Sequence, residues 1–144
     1  MENVQRRRID GIRVLVVDDH AANRELARIF LVGVGAEITE ATDGQEAVDL
    51  AEEAPFDVIL MDLRMPGMDG RTALAKIRAS QGPNDATPIL AFTADLTEET
   101  AVDLRLQGFD GAVAKPVAAK DLIAAIARAT DFSDLPEGAA DVAA

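Results

Sequence analysis

Two short apolar runs, each ending abruptly in aspartate, most constrain what this chain can become. They are "VLVVDDH" at Val14–His20 and "VILMDLRMPGMDG" at Val58–Gly70. A strand buried on both faces reads as a continuous run of β-branched and aliphatic residues, which is the pattern of a parallel sheet covered by helices. Further runs of the same kind follow at similar intervals. Glu37–Glu40 is a short, weak strand; Ile89–Phe92 is another, entered through Pro88; Gly111–Ala114 is the fifth. The first run reads as Ile12–Val17 and the third as Val58–Met61.

Helical patterns separate the runs. Leu26, Ile29, Phe30 and Gly33 recur at helical spacing, and Asp43 caps a second helix with the face Ala47, Leu50, Ala51 and Ala54. Pro55 ends that helix. Leu74 and Ile77 mark a third, after the turn residues Pro66, Gly67 and Gly70. Thr97 caps a fourth that runs to about Gln107, with Gly108 as its C-terminal cap, and Leu122, Ile123, Ile126 and Thr130 mark a fifth. Five strand–helix units imply a parallel sheet with helices on both faces. Residues 1–10 read as a polar, basic leader and residues 131–144, which lose periodicity, as a disordered or linker-like tail.

Composition removes several function classes. The 144 residues carry 14 basic and 26 acidic side chains, a net charge of −12, which argues against binding nucleic acid and favours cationic partners. Cysteine is absent, so thiolate metal sites, thiol nucleophiles and disulfides are excluded, and His20 is the only histidine. No apolar run approaches the ~18 residues of a membrane span, and the N-terminus lacks a secretory signal. The expectation is a cytoplasmic single domain without membrane contact. "DDHAANRE" is neither a dinucleotide fingerprint nor a P-loop, which disfavours both ligands.

In a doubly wound sheet, function gathers at the carboxyl ends of the strands. Those ends are Asp18 and Asp19, then Asp62, then Thr93 and Ala94, then Lys115 and Pro116. If the first and third strands are neighbours, three carboxylates share one cleft. Oxygen donors without cysteine suit a hard divalent cation, Mg²⁺ first, with Mn²⁺ as the alternative. One carboxylate can then act as a nucleophile on phosphorus, with Thr93 and Lys115 meeting charge on the phosphoryl oxygens. Ala94 is small and leaves the approach open. His20 reads as a loop residue flanking the acidic pair, with metal ligation the lesser reading.

In order and at matching separations, "VLVVDDHAANRELA", "FDVILMDLRMPGMDG", "PILAFTAD" and "GFDGAVAKP" resemble the signature blocks of the receiver domain of two-component response regulators, over residues 11–130. The resemblance implies a flavodoxin-like (βα)5 three-layer sandwich with strand order 2-1-3-4-5. It implies that Asp62 accepts a phosphoryl group from a histidine of a histidine kinase or a histidine phosphotransfer protein. Asp19 and Asp62 would ligate Mg²⁺, with Asp18 assisting and the Arg64 backbone carbonyl adding a ligand. Thr93 and Lys115 would bind phosphoryl oxygens, and the Lys115–Pro116 peptide would be cis. The expected assembly is a monomer or weak dimer.

The chain departs from the family at one position. Three residues before the lysine the family usually carries Tyr or Phe, whereas here stands Ala112, with Phe109 three residues out of register. The expectation is a smaller or different rearrangement on phosphorylation. Arg64 and Asp95, two residues beyond Asp62 and Thr93, are expected to pair over the cleft and hinder attacking water. A dehalogenase-like phosphatase would need a second Asp where Arg64 stands, and a receiver reduced to a binding module would have lost the acidic pair, the acceptor or the lysine. The basic leader and the style of the strand motifs favour the receiver of a hybrid histidine kinase over a stand-alone regulator.

Overall fold

A computed structural model describes residues 9–134. The elements alternate as β1 (Arg13–Val17), α1 (Ala21–Val32), β2 (Glu37–Ala41), α2 (Gly44–Glu53), β3 (Val58–Asp62), α3 (Gly70–Ala79), β4 (Ile89–Thr93), α4 (Glu98–Leu106), β5 (Gly111–Ala114) and α5 (Ala119–Asp134). The five strands pair in parallel in the order β2-β1-β3-β4-β5. This is the three-layer flavodoxin-like arrangement that the sequence implied.

Alternation along each strand feeds two separate cores, one on each face of the sheet. Leu15, Val17, Ile59, Met61, Ile89 and Ala91 face α2, α3 and α4, where Ala47, Ala51, Leu74, Ile77 and Leu104 cover them. Val14, Val16, Val58, Leu60, Leu90, Phe92 and Val113 face α1 and α5, beneath Ala27, Leu31, Leu122 and Ile126. Every residue of β3 and β4 is buried, which explains why both read as unbroken apolar runs.

The helix ends follow local chemistry. Asp43 and Asp69 accept the N–H groups of Glu46 and Thr72, each at 2.8 Å, and so satisfy orphan donors of α2 and α3. Thr97 and Thr100 cap α4 reciprocally. Gly108 ends that helix at φ +110°, with Phe109 N–H donating to the Leu104 carbonyl at 3.0 Å and Gly108 N–H to Arg105 at 3.1 Å. That is the Schellman closure, and a residue with a β-carbon would be strained at this φ.

Three expectations need correction. Helix α1 buries Ala27 and Leu31 and packs Phe30 against that core, but leaves Leu26 and Ile29 exposed, so the apolar spacing read from the sequence marked the face only in part. The inward side carries Arg24, which is tied to the Asp18 carbonyl and Glu40, and the fully buried Ala27. Ile9, assigned to the polar leader, is 1% exposed and belongs to the α1–α5 core. Helix α5 continues to Asp134, four residues into the segment read as tail. The rest of that leader and tail, residues 1–8 and 135–144, lies outside the described residues.

The cap on α3 is testable because it anchors the loop that follows β3. Asp69 titrates below the ordinary carboxylate range, chiefly because it accepts the Thr72 backbone N–H. Its stabilising effect is therefore complete above the unfolded-state pKa and is lost as pH falls through the lower folded-state value. Asp69→Ala is expected to lower unfolding free energy by about 1 kcal/mol at neutral pH. The difference from wild type should shrink in acid, as read by urea titration.

Candidate functional site

The strand register builds the site. Val17 pairs with Met61, so the next residues, Asp18 and Asp62, emerge side by side. Asp62 pairs with Phe92 and Thr93 with Ala114, which places Lys115 just beyond the edge of the sheet. One end of the sheet thus collects every charged residue that the sequence placed at a strand terminus. The Lys115–Pro116 peptide is cis.

Three carboxylates meet one ammonium. Asp18 is fully buried, and only 3% of Asp62 is exposed. Lys115 Nζ lies 2.8 Å from Asp62 Oδ1 and 3.0 Å from Asp18 Oδ2. Burial, and then the nearby Asp18 charge, push the Asp62 carboxyl above its ordinary range, against the pull of Lys115. Burial also disfavours the charged Lys115, yet the Asp62 hydrogen bond and the carboxylate charges of Asp62 and Asp18 outweigh it and hold the ammonium above its usual value.

One lysine does not satisfy this cluster. Asp18 Oδ2, Asp19 Oδ1 and Asp62 Oδ2 are buried without a hydrogen-bond partner, although Lys115 stands at ion-pair distance from the first. Buried carboxylate oxygens are normally paired, because desolvating them is expensive. Ligand atoms of Asp18, Asp19, His20 and Asp62 all lie within 4.8 Å of one another. His20 is mostly exposed, with Nδ1 3.2 Å from Asp19 Oδ1. Convergent hard oxygen donors without partners fit a divalent cation of the Mg²⁺ class.

The two oxygens of Asp62 differ. Oδ1 accepts from Lys115 and, at 3.3 Å, from the Arg64 N–H, whereas Oδ2 accepts nothing. The Thr93 hydroxyl accepts the Asp95 N–H at 3.1 Å, and the Thr93 carbonyl accepts the Lys115 N–H at 2.8 Å. Ala94 is exposed at the mouth. Ala112 is half-buried and lines an open groove of about 650 Å³ between α4, β5 and α5, while Phe109 is buried in the other core. No aromatic ring occupies that groove wall.

The structure does not form the expected Arg64–Asp95 pair. Both side chains are exposed, and no ion pair joins them among the described residues. Two residues that the sequence left unmarked belong to the site instead. Arg24 donates through Nη1 to the Asp18 carbonyl at 2.8 Å and through Nε to Glu40 at 3.0 Å, bracing the acidic loop against β2. Its only sequence signal was a basic residue one turn into α1, on the side that faces the sheet. Phe92 places its ring 4.9 Å from Lys115 Nζ. Gly70 fits beneath Asp62 because a β-carbon there would fall on the Asp62 carbonyl oxygen.

A doubly wound sheet with an aspartate cluster and a lysine at its carboxyl edge suits a divalent cation and phosphate oxygens. Comparison with known proteins supplies the family. Residues 14–127 match the response regulator receiver domain, and the chain belongs to that family. It is therefore a receiver domain of two-component phosphorelay signalling. The chain is 37% identical over 123 residues to the sensor protein GacS of Pseudomonas syringae pv. syringae; the match covers 84% of this chain but 14% of that protein. Among solved structures, the chemotaxis response regulator CheY4 of Vibrio cholerae is 33% identical with a TM-score of 0.76, covering 83% of this chain and 98% of that one. The receiver domain of sensor histidine kinase PA1611 from Pseudomonas aeruginosa is 32% identical with a TM-score of 0.75 and the same two coverages, and it carries a magnesium ion in its active site cleft.

Because Arg64 and Asp95 stand apart, Arg64→Ala and Asp95→Ala should act independently. A double-mutant cycle in urea unfolding is expected to close within about 0.5 kcal/mol. A coupling energy well above that would show that the pair forms in solution.

Proposed function

We propose that Asp62 is the phosphoacceptor of this receiver and that its donor is a phosphohistidine on a histidine kinase or a histidine phosphotransfer protein. The observation that carries this reading is the asymmetry of the Asp62 carboxylate: Oδ1 is held by Lys115 and the Arg64 N–H, and Oδ2 is buried without a donor. A lone pair on Oδ2 forms the new bond to phosphorus. The bond from phosphorus to the donor's imidazole nitrogen breaks, and its electron pair stays on that nitrogen. The carboxylate brings no proton to the step, so no general base is required for attack.

Asp18, Asp19 and Asp62, with the Arg64 backbone carbonyl, are the residues to hold Mg²⁺, or Mn²⁺ in its place. When bound, the cation offsets the carboxylate charge and the charge of the incoming phosphoryl group. Lys115 is already poised against Asp62 and turns an N–H bond onto a phosphoryl oxygen, and the Thr93 hydroxyl donates to another. Ala94, being small and exposed, leaves the approach to phosphorus clear. The domain thus promotes its own modification without turning over an outside substrate, which distinguishes it from an enzyme in the ordinary sense.

The relation to GacS and to the receiver of a sensor kinase supports placement in a hybrid histidine kinase, as its C-terminal receiver in our reading; we place its work in the cytoplasm, where the proposed histidine donors act. No helix among the described residues is long and apolar enough to cross a membrane. Phosphotransfer profiling against histidine donors would identify the partner.

Acetyl phosphate with Mg²⁺ tests the reading. Intact-mass measurement should show one added phosphoryl group, absent in Asp62→Asn. Lys115→Ala should slow its formation by roughly 10²-fold, the usual loss when one charge-stabilising donor is removed. Continuous phosphate release would indicate a phosphatase instead, and an unmodified chain a binding module.

A further inference from the structure

Lys115 must do two things that conflict. It has to stay at one place while its hydrogens swing from carboxylates to a phosphoryl group. A lysine ammonium is a compact charge on a flexible stem, and its hydrogen bond to Asp62 and ion pair with Asp18 cannot hold it while those partners change. Its third neighbour does not change. The ring of Phe92 lies 4.9 Å from Nζ, within the range of a cation–π contact. Phe92 is completely buried and belongs to the α1–α5 core with Leu90, Val113, Val117 and Leu122. Its backbone is tied down as well, in register with Asp62 on one side and Val113 on the other.

We propose that Phe92 is a positioning residue for Lys115: the face of its ring holds the ammonium nitrogen in place while the three N–H bonds turn from carboxylate to phosphoryl oxygens. This rests on Asp62 being the acceptor, and it adds a residue that reads in the sequence as ordinary core. The attraction of a cation to a ring face does not depend on where the N–H bonds point. The contact therefore survives the exchange of partners, which a hydrogen bond does not. Phe92 joins the hydrophobic core to the reacting group through one rigid side chain.

A purely structural Phe92 would fill space and nothing more. Three measurements separate the readings. Phe92 replaced by mono-, di- and trifluorophenylalanine keeps its shape while losing ring electron density, so the fold is preserved. Phosphorylation by acetyl phosphate at saturating Mg²⁺ should slow stepwise with fluorine number, and Phe92→Leu should slow it by about 2- to 30-fold. Phe109→Leu, an equally large buried ring in the opposite core, should leave the rate within about twofold, a difference of under half a kcal/mol. In NMR spectra of untreated protein, the ε-methylene protons of Lys115 should be shifted upfield by the Phe92 ring, and Phe92→Leu should abolish that shift.

A flat fluorine series, or equal slowing by the Phe92→Leu and Phe109→Leu changes, overturns the proposal. If wild-type protein takes no phosphoryl group, the acceptor reading falls instead. The positioning role is then judged by the Lys115 proton shift: a shift that declines with fluorination supports it, and an unshifted signal overturns it.

Discussion

The structure depends on a repulsion that it does not relieve by itself. Three carboxylates are held at the end of two buried strands with a single ammonium among them, and three of their oxygens are buried without a hydrogen-bond donor. A chain selected only for stability would not keep such a cluster, because each desolvated carboxylate disfavours the folded state. The surrounding architecture keeps the charges from moving apart. Two full cores lock β1, β3 and β4 from both faces, and Arg24 clamps the acidic loop from outside. The strain is thereby available to a cation and a phosphoryl group, which are what such a cluster lacks.

Geometry at the edge of the sheet follows from backbone pairing more than from side-chain contacts. Adjacent register steps bring Asp18, Asp62, Phe92, Thr93 and Lys115 to one line of strand ends. The loop after β3 folds back closely enough that the Gly70 N–H donates to the Leu63 carbonyl at 3.1 Å, and only glycine fits there. Asp69 then starts α3 with a side-chain cap. The position of Asp62 is thus set by a register, a glycine and a cap. Flexible charges are left to react, and rigid elements are left to aim them.

Much of this was legible in the sequence, for identifiable reasons. Strands buried on both faces announce themselves as apolar runs, and residues at their ends are forced into the cleft once strand order is known. Caps such as Asp43, Thr97 and Gly108 are local and need no tertiary information. Relations set by tertiary structure were not legible. The face of α1 was read only in part because an amphipathic pattern cannot report that Arg24 is tied to the Asp18 carbonyl, with Leu26 and Ile29 exposed. The Arg64–Asp95 pair failed because positions equally far from two strand ends need not point at each other. Phe92 looked like one more core residue, and only coordinates reveal its ring against Lys115. Ile9 was hidden by the arginines before it.

The far side of the molecule bears on the response to phosphorylation. Ala112, where the family usually has an aromatic ring, lines a groove of about 650 Å³, and α4 beside it buries only Leu104. The central claim, that the acidic cluster is kept for a cation and a phosphoryl group at the expense of stability, can be measured without either. Asp19 carries an orphan oxygen and makes no ion pair with Lys115 among the described residues. Urea unfolding of wild type and Asp19→Asn in a chelator at neutral pH compares the cluster with and without one of its charges. A higher midpoint for Asp19→Asn is the predicted result, and an unchanged or lower midpoint would contradict the account.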